Sequence, residues 1–101
     1  MPDREWIIHI GDFWISIRRR TEGGRVKSFA VVLFVIHEEE IMCVTRYDTA
    51  HGYPHRDVLG LTEGLRGKLR TSNLNYNEAF SYALRDIKEN AEIYLADFLA
   101  H

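Results

Sequence analysis

The sequence predicts an α+β fold, an antiparallel β-meander of about four or five strands packed against one long C-terminal α-helix. Three observations point there. The first two-fifths of the chain is rich in aromatic and β-branched residues, which suit a pleated, half-buried surface. In the last quarter Tyr76, Phe80, Ala83, Leu84, Ile87, Ala91, Tyr94, Leu95 and Phe98 recur at spacings of three and four, which is one face of a helix. The 101 residues suffice for one domain and leave no room for two, so residues 1–101 are read as a single α+β domain.

The elements follow in order. Trp6-Ile7-Ile8-His9-Ile10 and Phe13-Trp14-Ile15-Ser16-Ile17 read as strands. Gly11-Asp12 between them is a two-residue turn or a bulge in one long strand, and the turn is preferred. Phe13, Ile15 and Ile17 alternate with Trp14, Ser16 and Arg18, so one face is apolar. Thr21-Glu22-Gly23-Gly24 makes a tight connection. Residues 26–36 form the central strand, and its unbroken apolar run, residues 29–36, predicts burial on both faces for part of its length. His37-Glu38-Glu39-Glu40 turns the chain and residues 41–47 return. Val58-Leu59-Gly60-Leu61 forms a short strand, and the rest up to Asn75 reads as glycine-punctuated loop. Asn75 and Glu78 are a capping pair for the helix, whose roughly 24 residues span about 36 Å. Tyr82 and Ile93 lie off its apolar stripe, as exposed residues or as part of a dimer contact.

Composition narrows the function classes. Cys43 is the only cysteine, which excludes a disulfide framework and a multi-cysteine zinc site and suits a reducing compartment. Its apolar neighbours make it a small buried hydrophobe. The charged N-terminus is unlike a signal peptide, and the longest apolar run is far shorter than the roughly 20 residues a membrane span needs. The expected location is cytoplasmic, with no membrane partner. Net charge is −2, so no global basic signature for nucleic acid is present. Arg18-Arg19-Arg20, Arg25 with Lys27, and Arg66, Lys68 and Arg70 are nonetheless basic clusters, which converge on one face or are ordinary solvated charges.

Residues 46–57 concentrate the chemistry: Arg46, Tyr47, Asp48, His51, Tyr53, His55, Arg56 and Asp57 fall where an apolar strand ends. Four readings fit. Asp48, His51, His55 and Asp57 are donors for zinc, manganese, iron or nickel. Gly52 and Pro54 weaken His-x3-His as a helical ligand pair, and no metal or other cofactor is expected. Metal-independent phosphodiester cleavage is the second reading. It needs a base for a 2′-hydroxyl and an acid for the leaving oxygen, which His51 and His55 supply, oriented by Asp48. Arg46 and Arg56 would hold the phosphate, and Tyr47 or Tyr53 would stack a base. The third is a recognition surface for RNA or a protein. The fourth is purely structural, with Asp48 capping a turn and Arg56 and Asp57 as surface charges. His9, His37 and His101 read as structural or surface residues.

Arg46-Tyr47-Asp48-x-Ala50-His51, followed by Pro54-His55, resembles the motif of the TumE-like proteins, the toxin halves of prokaryotic toxin–antitoxin pairs. The match covers about a dozen residues; the strand-rich start and helical end agree loosely. That family tends to carry consecutive histidines after the proline, where this chain has His55-Arg56-Asp57. A separate prokaryotic family sharing the motif is the other description. The resemblance implies a nucleic-acid-related toxin with a cognate antitoxin protein, and it extends to Arg46, Asp48, His51 and His55. The leading expectation is therefore a TumE-like toxin acting on RNA as a metal-independent ribonuclease. The alternative is a non-enzymatic protein-interaction module, with homodimerisation left open.

Overall fold

The computed structural model describes residues 3–50, 52–71 and 74–101. Six antiparallel strands form one sheet in sequence order, β1 (Asp3–Ile10), β2 (Phe13–Glu22), β3 (Arg25–His37), β4 (Glu40–Asp48), β5 (His55–Gly60) and β6 (Gly64–Arg70). Helix α1 (Tyr76–Ala100) follows. The meander and the helix agree with expectation; the strand count does not, because residues 64–70 pair with β5 rather than form a loop. Two glycines disguise β6, and Leu65 and Leu69, both 53% exposed, leave it no buried face that a sequence pattern would reveal.

Strand alternation assigns each residue a face. Ile15, Ile17, Phe29, Val31, Leu33 and Val35 are buried and pack with Ala83 and Ile87 of α1 in the core. Among the described residues the opposite face carries no helix, and Val32 and Phe34 are only half-buried there while Ile36 is 56% exposed. The apolar run 29–36 is thus deeply buried on one face, which corrects the expectation of burial on both. Gly11 and Asp12 make the turn between β1 and β2, with Gly11 at φ +58°. A bulge lies between Leu33 and Phe34 opposite β4, and another between Val58 and Leu59 opposite β6.

The helix starts where its cap predicts. The Asn75 side chain accepts from the Glu78 amide at 2.9 Å, and Glu78 accepts from the Asn75 amide at 3.1 Å. Such a box satisfies two otherwise unpaired donors. Backbone geometry leaves the helical region at Asn90 (φ −117°, ψ 17°), where the helix kinks. Its last turn docks on the β5–β6 turn. The Leu61 amide donates to the Phe98 carbonyl at 2.9 Å, and the Thr62 and Glu63 amides donate to the His101 carbonyl at 3.2 and 2.8 Å. Gly60 permits this approach, since a Cβ there would lie 2.9 Å from the His101 backbone. Among the described residues no helix is long and apolar enough to cross a membrane.

Candidate functional site

The segment 46–57 is not one loop. Its two ends are the paired strands β4 and β5, and alternation sends their side chains to opposite faces. Arg46 stands opposite Asp57 and Asp48 opposite His55, all on the face without the helix. Tyr47 and Arg56, also opposite each other, point to the helix.

On the open face the groups converge. Asp57 is 1% exposed; Arg46 Nε donates to its Oδ2 at 2.6 Å and Lys68 Nζ to its Oδ1 at 2.8 Å. Lys68 comes from β6, directly opposite Asp57. Burial pushes the Asp57 carboxyl up, but the hydrogen bonds from Lys68 and Arg46 outweigh it and hold the group below the ordinary carboxylate range. The bond to Asp57 raises Arg46 further. His55, also 1% exposed, sits with Nε2 3.0 Å from Asp48 Oδ1 and 3.4 Å from Asp57 Oδ1. Its Nδ1 lies 3.2 Å from the Tyr53 carbonyl. Carbonyl and carboxylate oxygens only accept, so donation from either ring nitrogen is matched. Tyr53 is in contact with the imidazole, with ring centroids 5.4 Å apart, and Arg70 covers Tyr53 at 4.7 Å. Asp48 also accepts from the Ala50 amide at 3.1 Å, the Asx turn foreseen for it.

One ring nitrogen of His55 and one oxygen each of Asp48 and Asp57 lie within 4.8 Å of one another, a geometry open to a metal ion. The charges oppose one. Arg46 and Lys68 already face Asp57, and Arg46 Nε is 3.9 Å from Asp48. Two cations balance two carboxylates, so a divalent ion would meet no excess negative charge. The exposed parts of this cluster are its cations, with the Arg46 and Lys68 side chains 44% and 34% exposed. That distribution suits an anion at the rim.

The helix-facing half is a separate network. Tyr47 is 4% exposed, so its ring is not offered to a base. Its hydroxyl donates to Asp86 Oδ2 at 2.6 Å, the Tyr94 hydroxyl donates to the same oxygen, and Asn90 donates to Oδ1 at 2.7 Å. Burial and these bonds push Tyr47 well above the ordinary tyrosine range and Tyr94 up to about 12. Arg56 lies 4.5 Å over the Tyr94 ring and donates to Thr45 Oγ1 at 3.0 Å. Arg46 and Arg56 therefore do not form one phosphate clamp. His51 lies outside the described residues. The structure brings Arg46, Asp48, His55 and Asp57 together and adds Lys68, whose only sequence signal was its place in a basic cluster. Nothing in the helical stripe marked Asp86 as more than a surface acid. Cys43 is half-buried with its thiol pushed up by burial, consistent with an inert thiol.

Fold and cluster together define a small sheet-and-helix domain with a buried carboxylate–imidazole centre under a cationic rim. The chain belongs to the family described as a domain of unknown function, DUF7718, whose model matches residues 1–101. No curated protein and no solved structure shows significant similarity to it.

Proposed function

We propose that this chain acts on RNA at the open face of β4–β6, as the toxin-like motif suggests. The observation that supports it is the fully buried Asp57 holding two partly exposed cations, Arg46 and Lys68, on one face beside an imidazole aligned by Asp48. A phosphate reaching this rim exchanges part of each ion pair for charge-assisted bonds of its own, with Asp57 fixing where the cations stand. Binding is the activity this closed arrangement performs directly.

Cleavage is the further step. His55 next to Asp48 has the partner of an acid–base imidazole, and His51 supplies the second histidine in sequence. At 1% exposure, His55 meets a phosphodiester only once Tyr53 swings off it. Purified protein incubated with total RNA, with and without chelator, tests this. Chelator-resistant cleavage that disappears in His51→Ala/His55→Ala supports the ribonuclease reading; cleavage that survives the double substitution ends it. RNA binding unchanged in Arg46→Ala/Lys68→Ala ends the clamp as well. A cytoplasmic location and a cognate antitoxin belong to the same proposal.

A second reading, a homodimeric interaction module without catalysis, draws on Ile36 and its cross-strand partner Ile41, 56% and 73% exposed, and on Ile93 at 66%. It predicts a dimer by light scattering that Ile41→Lys or Ile93→Lys dissociates. A monomer at high concentration excludes it.

A further inference from the structure

The register of the sheet extends the cationic rim. One cross-strand row on the open face runs Arg18, Ala30, Asp48, His55 and Arg70; the next runs Ser16, Val32, Arg46, Asp57 and Lys68. Arg20 stands two residues beyond Arg18 on β2 and is exposed. Neighbouring strands lie about 4.8 Å apart, so Arg18 is about 10 Å from Asp48 with only Ala30 between. The basic clusters at residues 18–20 and 66–70 thus send Arg18, Arg20, Lys68 and Arg70 to the face of Arg46. Arg19 goes the other way, over Phe80 at 5.2 Å, and so does Arg66, which pairs with Asp97 at 2.9 Å. Asp3 and Glu5 face Arg20 and Arg18 from the edge strand, and Glu22 lies 4.0 Å from Arg20; Asp48 and Asp57 are the less exposed members of their own pairs. A phosphate over β3 lies nearer Arg18 and Arg46 than the edge-strand carboxylates, which are one strand further out.

The row toward the β1–β2 turn is aromatic. His9 and Trp14 are stacked with centroids 4.3 Å apart and an interplanar angle of 5°, and Phe34 continues the stack at 6.1 Å and 15°. His9 is exposed and lies on the edge strand. Cations in two rows with an aromatic stack about 7 Å further along the strands are the two parts of a single-strand binding surface: charge for the backbone, rings for the bases. A duplex hides its bases and offers the rings nothing.

We propose that the open sheet face is a single-stranded RNA track, with the backbone crossing Ala30 and Val32 between Arg18/Arg20 and Arg46/Lys68, and a base stacking on the His9–Trp14–Phe34 column. This rests on the RNA reading above. Fluorescence anisotropy with a short labelled single-stranded RNA, its duplex and a labelled acidic peptide tests it.

Tight binding of the single strand alone is expected, with a log–log salt slope of roughly −3 for four neutralised phosphates. Arg18→Ala/Arg20→Ala should weaken it at least tenfold and bring the slope to roughly −1.5. His9→Ala, an exposed change, should weaken it severalfold, and tryptophan emission in a Trp6→Phe background should be quenched by RNA. Equal affinity for the duplex or the acidic peptide overturns the track. If Arg46→Ala/Lys68→Ala abolishes binding while the Arg18/Arg20 and His9 variants bind as the parent does, the track falls and the clamp stands. No RNA binding by the parent chain removes both.

Discussion

The two faces of the β4–β5 pair make an instructive contrast. Both carry a buried or half-buried aspartate that gathers hydrogen bonds. On the open face Asp57 collects charged donors, Arg46 and Lys68, whose side chains are partly exposed. On the helix face Asp86 collects neutral ones, two tyrosine hydroxyls and an amide. Neutral donors enclosed by a helix tie layers together and present nothing outside. Charged donors anchored from below keep spare bonding capacity at the surface. Under the proposed function the chemistry falls to the open face, while the cohesion of sheet with helix belongs to the other.

Substitutions can break this division. Asp57→Ala is expected to cost most, about 3 kcal/mol, since it strips a fully buried carboxylate from two cations that are only partly able to reach water. Chemical denaturation measures it, and a loss below about 1 kcal/mol would deny Asp57 its anchoring role. Asp86→Ala should cost about 2 kcal/mol through two stranded hydroxyls and leave RNA affinity unchanged. A parallel loss of RNA binding in a folded Asp86→Ala protein would erase the distinction between the faces. Asn75→Ala, remote from both, should cost about 1 kcal/mol through the lost cap.

pH sharpens the same contrast. Asp57 is held below its ordinary value, so the folded state binds fewer protons. Its contribution is whole above about pH 4 and is lost as pH falls through the lower folded value. Tyr47 and Tyr94 are held above theirs. Their contribution is whole below about pH 10 and is lost as pH rises; for Tyr94 the loss is complete once pH passes about 12. Denaturation against pH should show a shallower acid limb in Asp57→Asn and a shallower alkaline limb in Tyr94→Phe. Reversal of the two would contradict the assignment.

The helix was legible because its burial writes a regular stripe and its cap has a short local code. Strands β1 to β4 were legible because Ile15, Ile17, Leu33 and their neighbours face a core. Strand β6 was not: Gly64, Gly67 and an unburied alternation of leucine with arginine and lysine look like loop, and only pairing with β5 makes them a strand. The site was legible as a concentration of residue types but not as geometry. Once β5 begins at His55, alternation parts Arg46 from Arg56 and sets His55 beside Asp48, and the sequence alone did not show where β5 begins. Lys68 and Asp86 were hidden for a common reason: each acts through a partner in a different element.

The docking of the helix end on Gly60 carries a consequence in time. The amides of Leu61, Thr62 and Glu63 belong to a hairpin turn by position, yet their acceptors are Phe98 in the last turn of α1 and His101, its C-cap. Turn amides ordinarily trade their hydrogen for deuterium almost at once. These three should exchange slowly, and together, at the rate at which the helix end lifts from the sheet. They are thus a built-in clock for that opening. Gly60→Ala, which forces a shift against the His101 backbone, should make the clock run fast.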